Sequence, residues 1–151
     1  MNRLSLLAYS AMMLGLALIP SSVLAQQQQT LRQQLVGTWE YVSLTPASQV
    51  TGTSPKGYLI LAGSGRYTTA SKNPNRPKAP ERTADGFAAN FGTWSVNETD
   101  KTLTVHIEGA LTSSIEGTDV KSTISLNGDE LRATNSETKA TAVYKRIRAA
   151  Q

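Results

Sequence analysis

VGTWEYV at positions 36–42 carries a Gly-Thr-Trp triplet that returns in FGTWSV at positions 91–96, and the two triplets hold both tryptophans of the chain. Alternation with period two puts Trp39 with Tyr41, and Trp94 with Val96, on one face of a strand. Two such strands suit a sheet with a crowded inner face, where Gly37 and Gly92 ease the backbone in and Trp39 and Trp94 fill the space behind. The flanking stretches VSLTPAS and NETDKT share nothing, so the triplets mark two strands of one fold rather than a duplicated unit. Core filling is the main reading of the rings; a sugar or flat ligand stacked on them is the alternative.

Outward from these triplets, the chain from position 35 on consists of short β-branched or aromatic segments separated by turn residues. Eight strands are predicted, at 37–44, 58–62, 66–70, 92–97, 103–108, 120–126, 131–134 and 140–147. Gly63-Ser64-Gly65, Glu98-Thr99-Asp100 and Asn127-Gly128 favour hairpins, the last most strongly because both residues tolerate positive φ. An even set of sequentially paired antiparallel strands closes without a free edge, and eight strands enclose room for side chains or one small ligand. The predicted fold is therefore all-β, an eight-stranded antiparallel up-and-down β-barrel. A short helical turn in TLRQQL, with Leu31 and Leu35 on one side, precedes it. One long connection at 71–90 interrupts it, with Pro74, Pro77 and Pro80 spaced by three and Thr83 placed to cap a short helix.

The first 25 residues read as a signal peptide: Asn2-Arg3, an apolar run from Leu4 to Ile19, and Val23-Leu24-Ala25 before Gln26. The run is interrupted by polar residues, ends at Pro20 and is short for a bilayer span, so no stable membrane anchor is expected after cleavage. The expected layout is a signal peptide at 1–25, a polar leader with a short helix at 26–34, and a barrel domain at 35–148, in a protein exported to the periplasm or secreted. Cleavage leaves 126 residues, one domain of ordinary size, and with no cysteine the core must hold without disulfides. The mature chain carries 14 basic against 11 acidic residues, a net +3 that does not amount to the basic footprint of a nucleic-acid binder.

Few residues suggest chemistry. His106, the only histidine, alternates in LTVHIEG with Thr104 and Glu108, opposite Leu103, Val105 and Ile107. A histidine with a nearby carboxylate can move a proton near neutral pH; the competing reading is a polar outer face above an apolar inner one. One histidine and no cysteine argue against a zinc site of the usual kinds, no acidic loop has calcium-binding spacing, and neither a cofactor nor a metal is expected. Ser64 sits in a hairpin turn without the G-x-S-x-G order, and Gly63-Gly65 lead into no phosphate loop. The connection at 71–90 gathers Lys72, Arg76, Lys78 and Arg82, which as a rim would favour an anionic head group on an apolar ligand.

These residues together resemble the lipocalin-like domain family of bacterial and fungal proteins, over positions 35 to 147. LVGTW resembles the Gly-x-Trp element of lipocalins, in which the tryptophan lies in the closed end of an eight-stranded barrel. The order of a GYL strand, an Arg-Pro loop, a Phe-Gly-Thr-aromatic strand and a strand ending His-x-Glu-Gly carries the rest. The resemblance implies a cup with His106 and Arg76 near its mouth, and no single activity.

The first expectation is an exported small-molecule-binding protein holding an apolar or amphipathic ligand, with Tyr58, Tyr67, Trp94 and His106 in the lumen and Arg76 at the rim. The second is an isomerase or cyclase, with His106 as acid or base, Glu108 orienting it and Arg76 stabilising negative charge. A periplasmic protein inhibitor acting through the leader or a loop is the third.

Overall fold

A computed structural model describes residues 29–76 and 85–148. The expected signal peptide at 1–25, Gln26 to Gln28 of the expected leader, and the stretch of the long connection holding Pro77, Lys78, Pro80, Arg82 and Thr83 lie outside the described residues. Among the described residues no helix is long and apolar enough to cross a membrane.

The chain forms α1 (Leu31–Leu35), β1 (Gly37–Thr45), β2 (Lys56–Leu61), β3 (Arg66–Lys72), β4 (Phe87–Asn97), β5 (Thr102–Ala110), a 3-10 turn at Ser113–Ile115, β6 (Asp119–Asn127), β7 (Glu130–Asn135) and β8 (Thr141–Ile147). Every strand pairs antiparallel with the next, and β8 returns to β1 through Thr38↔Ile147 to Thr45↔Thr141, closing an eight-stranded barrel. Closure leaves no unpaired edge. Two extra residues bend the wall: Val42 between Tyr41 and Ser43 on β1, and Glu108 on β5, where Phe91↔Gly109 gives way to Gly92↔Ile107.

Alternation decides what fills the barrel. Trp39, Leu59, Leu61, Tyr67, Trp94, Leu103, Ile124, Leu131 and Tyr144 form one buried cluster with Leu35 of α1. Five helical residues are too few to hold a helix alone. Here α1 starts with a reciprocal cap between Thr30 and Gln33 and is held by Leu35, which is fully buried.

The structure differs from the sequence expectation in two places. Strand β4 begins at Phe87, five residues before the predicted start, because Phe87 to Asn90 continue the ladder with β3 from Lys72↔Phe87 to Thr69↔Asn90. The β6–β7 turn is also one residue later than Asn127-Gly128: Asn127 pairs with Glu130, and Gly128 (φ +58°) and Asp129 are the loop residues. Only Gly128 has positive φ, which suits glycine at the first loop position of a two-residue hairpin.

Candidate functional site

The layer around Trp39 closes one end. Trp39 is 0% exposed, and its indole N–H donates to the Leu35 carbonyl at 2.9 Å. The Arg146 guanidinium lies over its ring at 4.1 Å and donates to the carbonyls of Val36, at 3.0 Å, and Gln34. Gly37 (φ +148°) leaves room for this cation, since a Cβ there would stand 2.9 Å from an Arg146 nitrogen. Trp94 repeats the device: its N–H donates to the Ala62 carbonyl at 2.9 Å and Arg32 of α1 covers its ring at 4.5 Å. Both tryptophans are thus tied to backbone and packed under a cation. Trp94, expected among the ligand contacts, does not line the cavity above this layer.

That cavity, of about 170 Å³, lies inside the barrel. Its apolar wall is Leu59, Leu103, Val105, Ile107, Val120 and Ala133. Tyr41, Tyr67, Thr69, Asn90, Ser122 and Tyr144 supply the polar groups. The Tyr67 hydroxyl donates to Asn90 Oδ1 at 2.7 Å, and the hydroxyls of Tyr41 and Thr69 share a hydrogen bond at 3.3 Å. Tyr41 and Tyr144 rings meet at 4.5 Å, tilted by 48°. Burial first, and then the Glu108 charge, push the Tyr67 phenol up to about 12. Burial, followed by the neighbouring Tyr41, raises Tyr144 well above the ordinary phenol value. Among the described residues no charged side chain lines the cavity, so its wall is neutral and hydrogen-bonding.

Of the residues expected in the lumen, Tyr67 is there and Tyr58 is not. Tyr58 is 48% exposed on the outer wall, because Leu59 and Leu61 take the inward positions of β2. His106 is outside too, with 47% of its side chain exposed, while Val105 and Ile107 face the cavity. Its Nδ1 lies 2.7 Å from Asp119 Oδ1 on β6, not beside Glu108. Glu108, the extra residue of the β5 bulge, is held by Arg66 in a two-pronged pair at 2.7 Å for each contact. That hydrogen-bonded pairing holds the Glu108 carboxyl below its ordinary value and raises Arg66. Thus, in place of the expected His106–Glu108 pair, His106 contacts Asp119 and Glu108 pairs with Arg66, both on the outer surface. Arg76 lies in the β3–β4 connection, its N–H donating to the Asn73 carbonyl at 3.2 Å, and does not line the cavity.

Gly92 is structural in a different way from Gly37. A Cβ there would fall 1.9 Å from the His106 carbonyl oxygen, so the β4–β5 bulge closes only over a hydrogen. The contacts missed in sequence are Tyr41, Thr69, Asn90, Ser122 and Tyr144. Alternation from Trp39 already carries Tyr41, and alternation from Tyr67 carries Thr69.

A larger concavity, of about 420 Å³, lies on the outer wall. Thr68, Ala70, Ala89, Phe91, Leu111 and Glu116 line it, and Thr69 and Asn90 border both it and the interior cavity. Phe91 lies flat over Gly109, where a Cβ would come within 2.6 Å of the ring. With Phe91 and Leu111 about half exposed, this is a surface groove rather than an enclosed site. No group of His, Asp or Glu side chains among the described residues is arranged to hold a metal ion.

No family model and no curated protein matches the chain. Among solved structures, an uncharacterized protein from Bacteroides eggerthii DSM 20697 is similar at 7% identity and a TM-score of 0.48. The match covers 74% of this chain and 98% of that one.

Proposed function

We propose that this chain is an exported small-molecule-binding protein of the lipocalin-like type, with its ligand inside the barrel. The single observation that carries the reading is the interior cavity of about 170 Å³, walled by aliphatic side chains and fitted with a few hydroxyl and amide groups. Apolar burial supplies affinity in such a site and the polar groups fix orientation. The closed end supports it with a rigid floor, because Trp39 and Trp94 are each tied to backbone and covered by an arginine. Acid–base chemistry on His106 would take place on the outer wall, beyond the reach of a ligand in the cavity.

Native mass spectrometry of the protein purified from its own host tests this reading. A co-purified compound of low mass is expected, absent when Val105→Trp fills the cavity. A compound retained unchanged by the Val105→Trp protein would place binding elsewhere and refute the proposal.

A further inference from the structure

Three features of the cavity narrow the ligand class. The first is volume. A cavity of about 150 Å³ holds benzene, and this one, at about 170 Å³, takes a single ring with a two- or three-atom substituent but no fused bicycle. The second is charge. No cation or anion lines the wall, so a carboxylate or ammonium placed there would lose its water without gaining a partner. The Tyr67 phenol, pushed up to about 12, keeps its proton and leaves the wall neutral across ordinary pH.

The third is the balance of donors and acceptors. The Asn90 amide oxygen is occupied by the Tyr67 hydroxyl. The other end of that amide, Nδ2, donates to no protein group, and neither does the Ser122 hydroxyl. Among the described residues no buried side-chain nitrogen or oxygen lacks a partner, so neither of these groups is sealed among packed atoms, and both residues line the cavity. Two free N–H donors call for an acceptor, and a neutral carbonyl oxygen supplies one without charge.

Resting on the luminal binding proposed above, we infer that the cavity selects a neutral, single-ring compound carrying a carbonyl group, which accepts a hydrogen bond from Asn90 Nδ2. Ions of the same shape are rejected. The ring buries apolar surface against the aliphatic wall, while the carbonyl accepts the hydrogen bond that Asn90 Nδ2 can donate.

A set of near-isosteric probes tests this on the folded wild-type protein by calorimetry, with the Asn90 side-chain amide resonances followed by NMR. Acetophenone carries the carbonyl, α-methylstyrene replaces it by a methylene, benzoate and benzamidinium add opposite charges, and 2-acetylnaphthalene adds a fused ring. Acetophenone is expected to bind about three- to tenfold more tightly than α-methylstyrene. It should also shift the Asn90 amide signals, and to bind at least about tenfold more tightly than either ion. The bicycle should not bind. Asn90→Leu should equalise acetophenone and α-methylstyrene while retaining the hydrocarbon, and the wild-type series decides the matter even if that variant does not fold. Equal or tighter binding of α-methylstyrene overturns the carbonyl assignment, and tighter binding of benzoate, benzamidinium or the bicycle overturns the ligand class, in each case with luminal binding intact. Failure of all five at millimolar concentration, with unmoved Asn90 signals, overturns both this inference and the proposed function.

Discussion

Replacing Arg146 by methionine removes the latch of the closed end, and the loss can be worked from its contacts. The guanidinium donates to the Val36 and Gln34 carbonyls and covers Trp39, and only 20% of its side chain is exposed. A hydrogen bond to a charged group contributes about 1.5–3 kcal/mol net. At the lower figure for each, the two bonds give about 3 kcal/mol. The cation over the tryptophan adds roughly 0.5–2 kcal/mol, part of which the methionine thioether recovers by packing on the same ring. The expected loss is about 3–4 kcal/mol, a large share of the roughly 5–15 kcal/mol that holds a domain together. With a urea slope of about 1.5 kcal/mol per molar, the midpoint should fall by about 2 M. Tryptophan fluorescence reads it directly, since Trp39 lies under the cation. Arg146→Lys keeps the charge without the planar fork and should lose about half as much. Acetophenone binding should be unchanged in both, because Arg146 does not line the cavity. A loss below about 1 kcal/mol for the methionine variant would refute the latch.

Gly92→Ala should destabilise the barrel by at least about 2 kcal/mol in the same assay, because a methyl there collides with the His106 carbonyl and opens the bulge. A change within about 0.5 kcal/mol would show that the bulge yields. At alkaline pH, Tyr67, at about 12, and Tyr144, raised well above the ordinary phenol value by burial, bind protons more tightly in the folded state than a free phenol near 10 does. Their contribution is whole below about pH 10 and is lost as pH rises towards 12, so phenolate absorbance from these two rings should appear only with unfolding. At the acid end the signs reverse: the Glu108 and Asp129 carboxyls, lowered by Arg66 and Arg148, stabilise the fold above the ordinary carboxylate range and cease to do so as pH falls through it. His106→Ala should leave probe binding within about twofold of wild type, since a surface pair with Asp119 contributes little. A tenfold loss would draw the outer wall into the site.

The barrel was legible because its interior imposes a period of two. Trp39 and Tyr41 alternate against Glu40, and Val105 and Ile107 alternate against His106, so inner and outer positions differ in polarity and announce themselves. The GYLIL stretch hides the same alternation: Tyr58 and Ile60 are as apolar as Leu59 and Leu61, and only the ladder shows that the leucines point inward. Asn90 was read as part of a connection because Ala88-Ala89-Asn90 carries no β-branched residue. Pairing with β3, rather than propensity, extends β4 over it. Nothing in the sequence singles out Arg146 or Arg32. Arg146 comes over Trp39 as its ladder partner when β8 closes on β1, and Arg32 reaches Trp94 from α1, contacts between distant segments that no local pattern encodes.

The cavity and the latch belong to one balance. Sealed apolar volume inside a protein lowers stability by about 24 cal/mol per Å³, so a space of about 170 Å³ forgoes at most roughly 4 kcal/mol, and less where it is polar and open. Without cysteine the chain cannot recover this by a disulfide, and the Arg146 latch, at about 3–4 kcal/mol, is of the size needed to offset it. Ala133→Leu tests the argument because it adds three carbons on the cavity wall, at about 0.8 kcal/mol for each one buried, against some loss of rotamer freedom. If the space is open, the variant gains about 1–2 kcal/mol in urea and loses acetophenone binding, the trade-off expected where function requires a void. If the wall is already packed, the same change costs about 1–3 kcal/mol through strain. A destabilised Ala133→Leu protein would therefore refute the cavity itself, and with it the ground for a ligand.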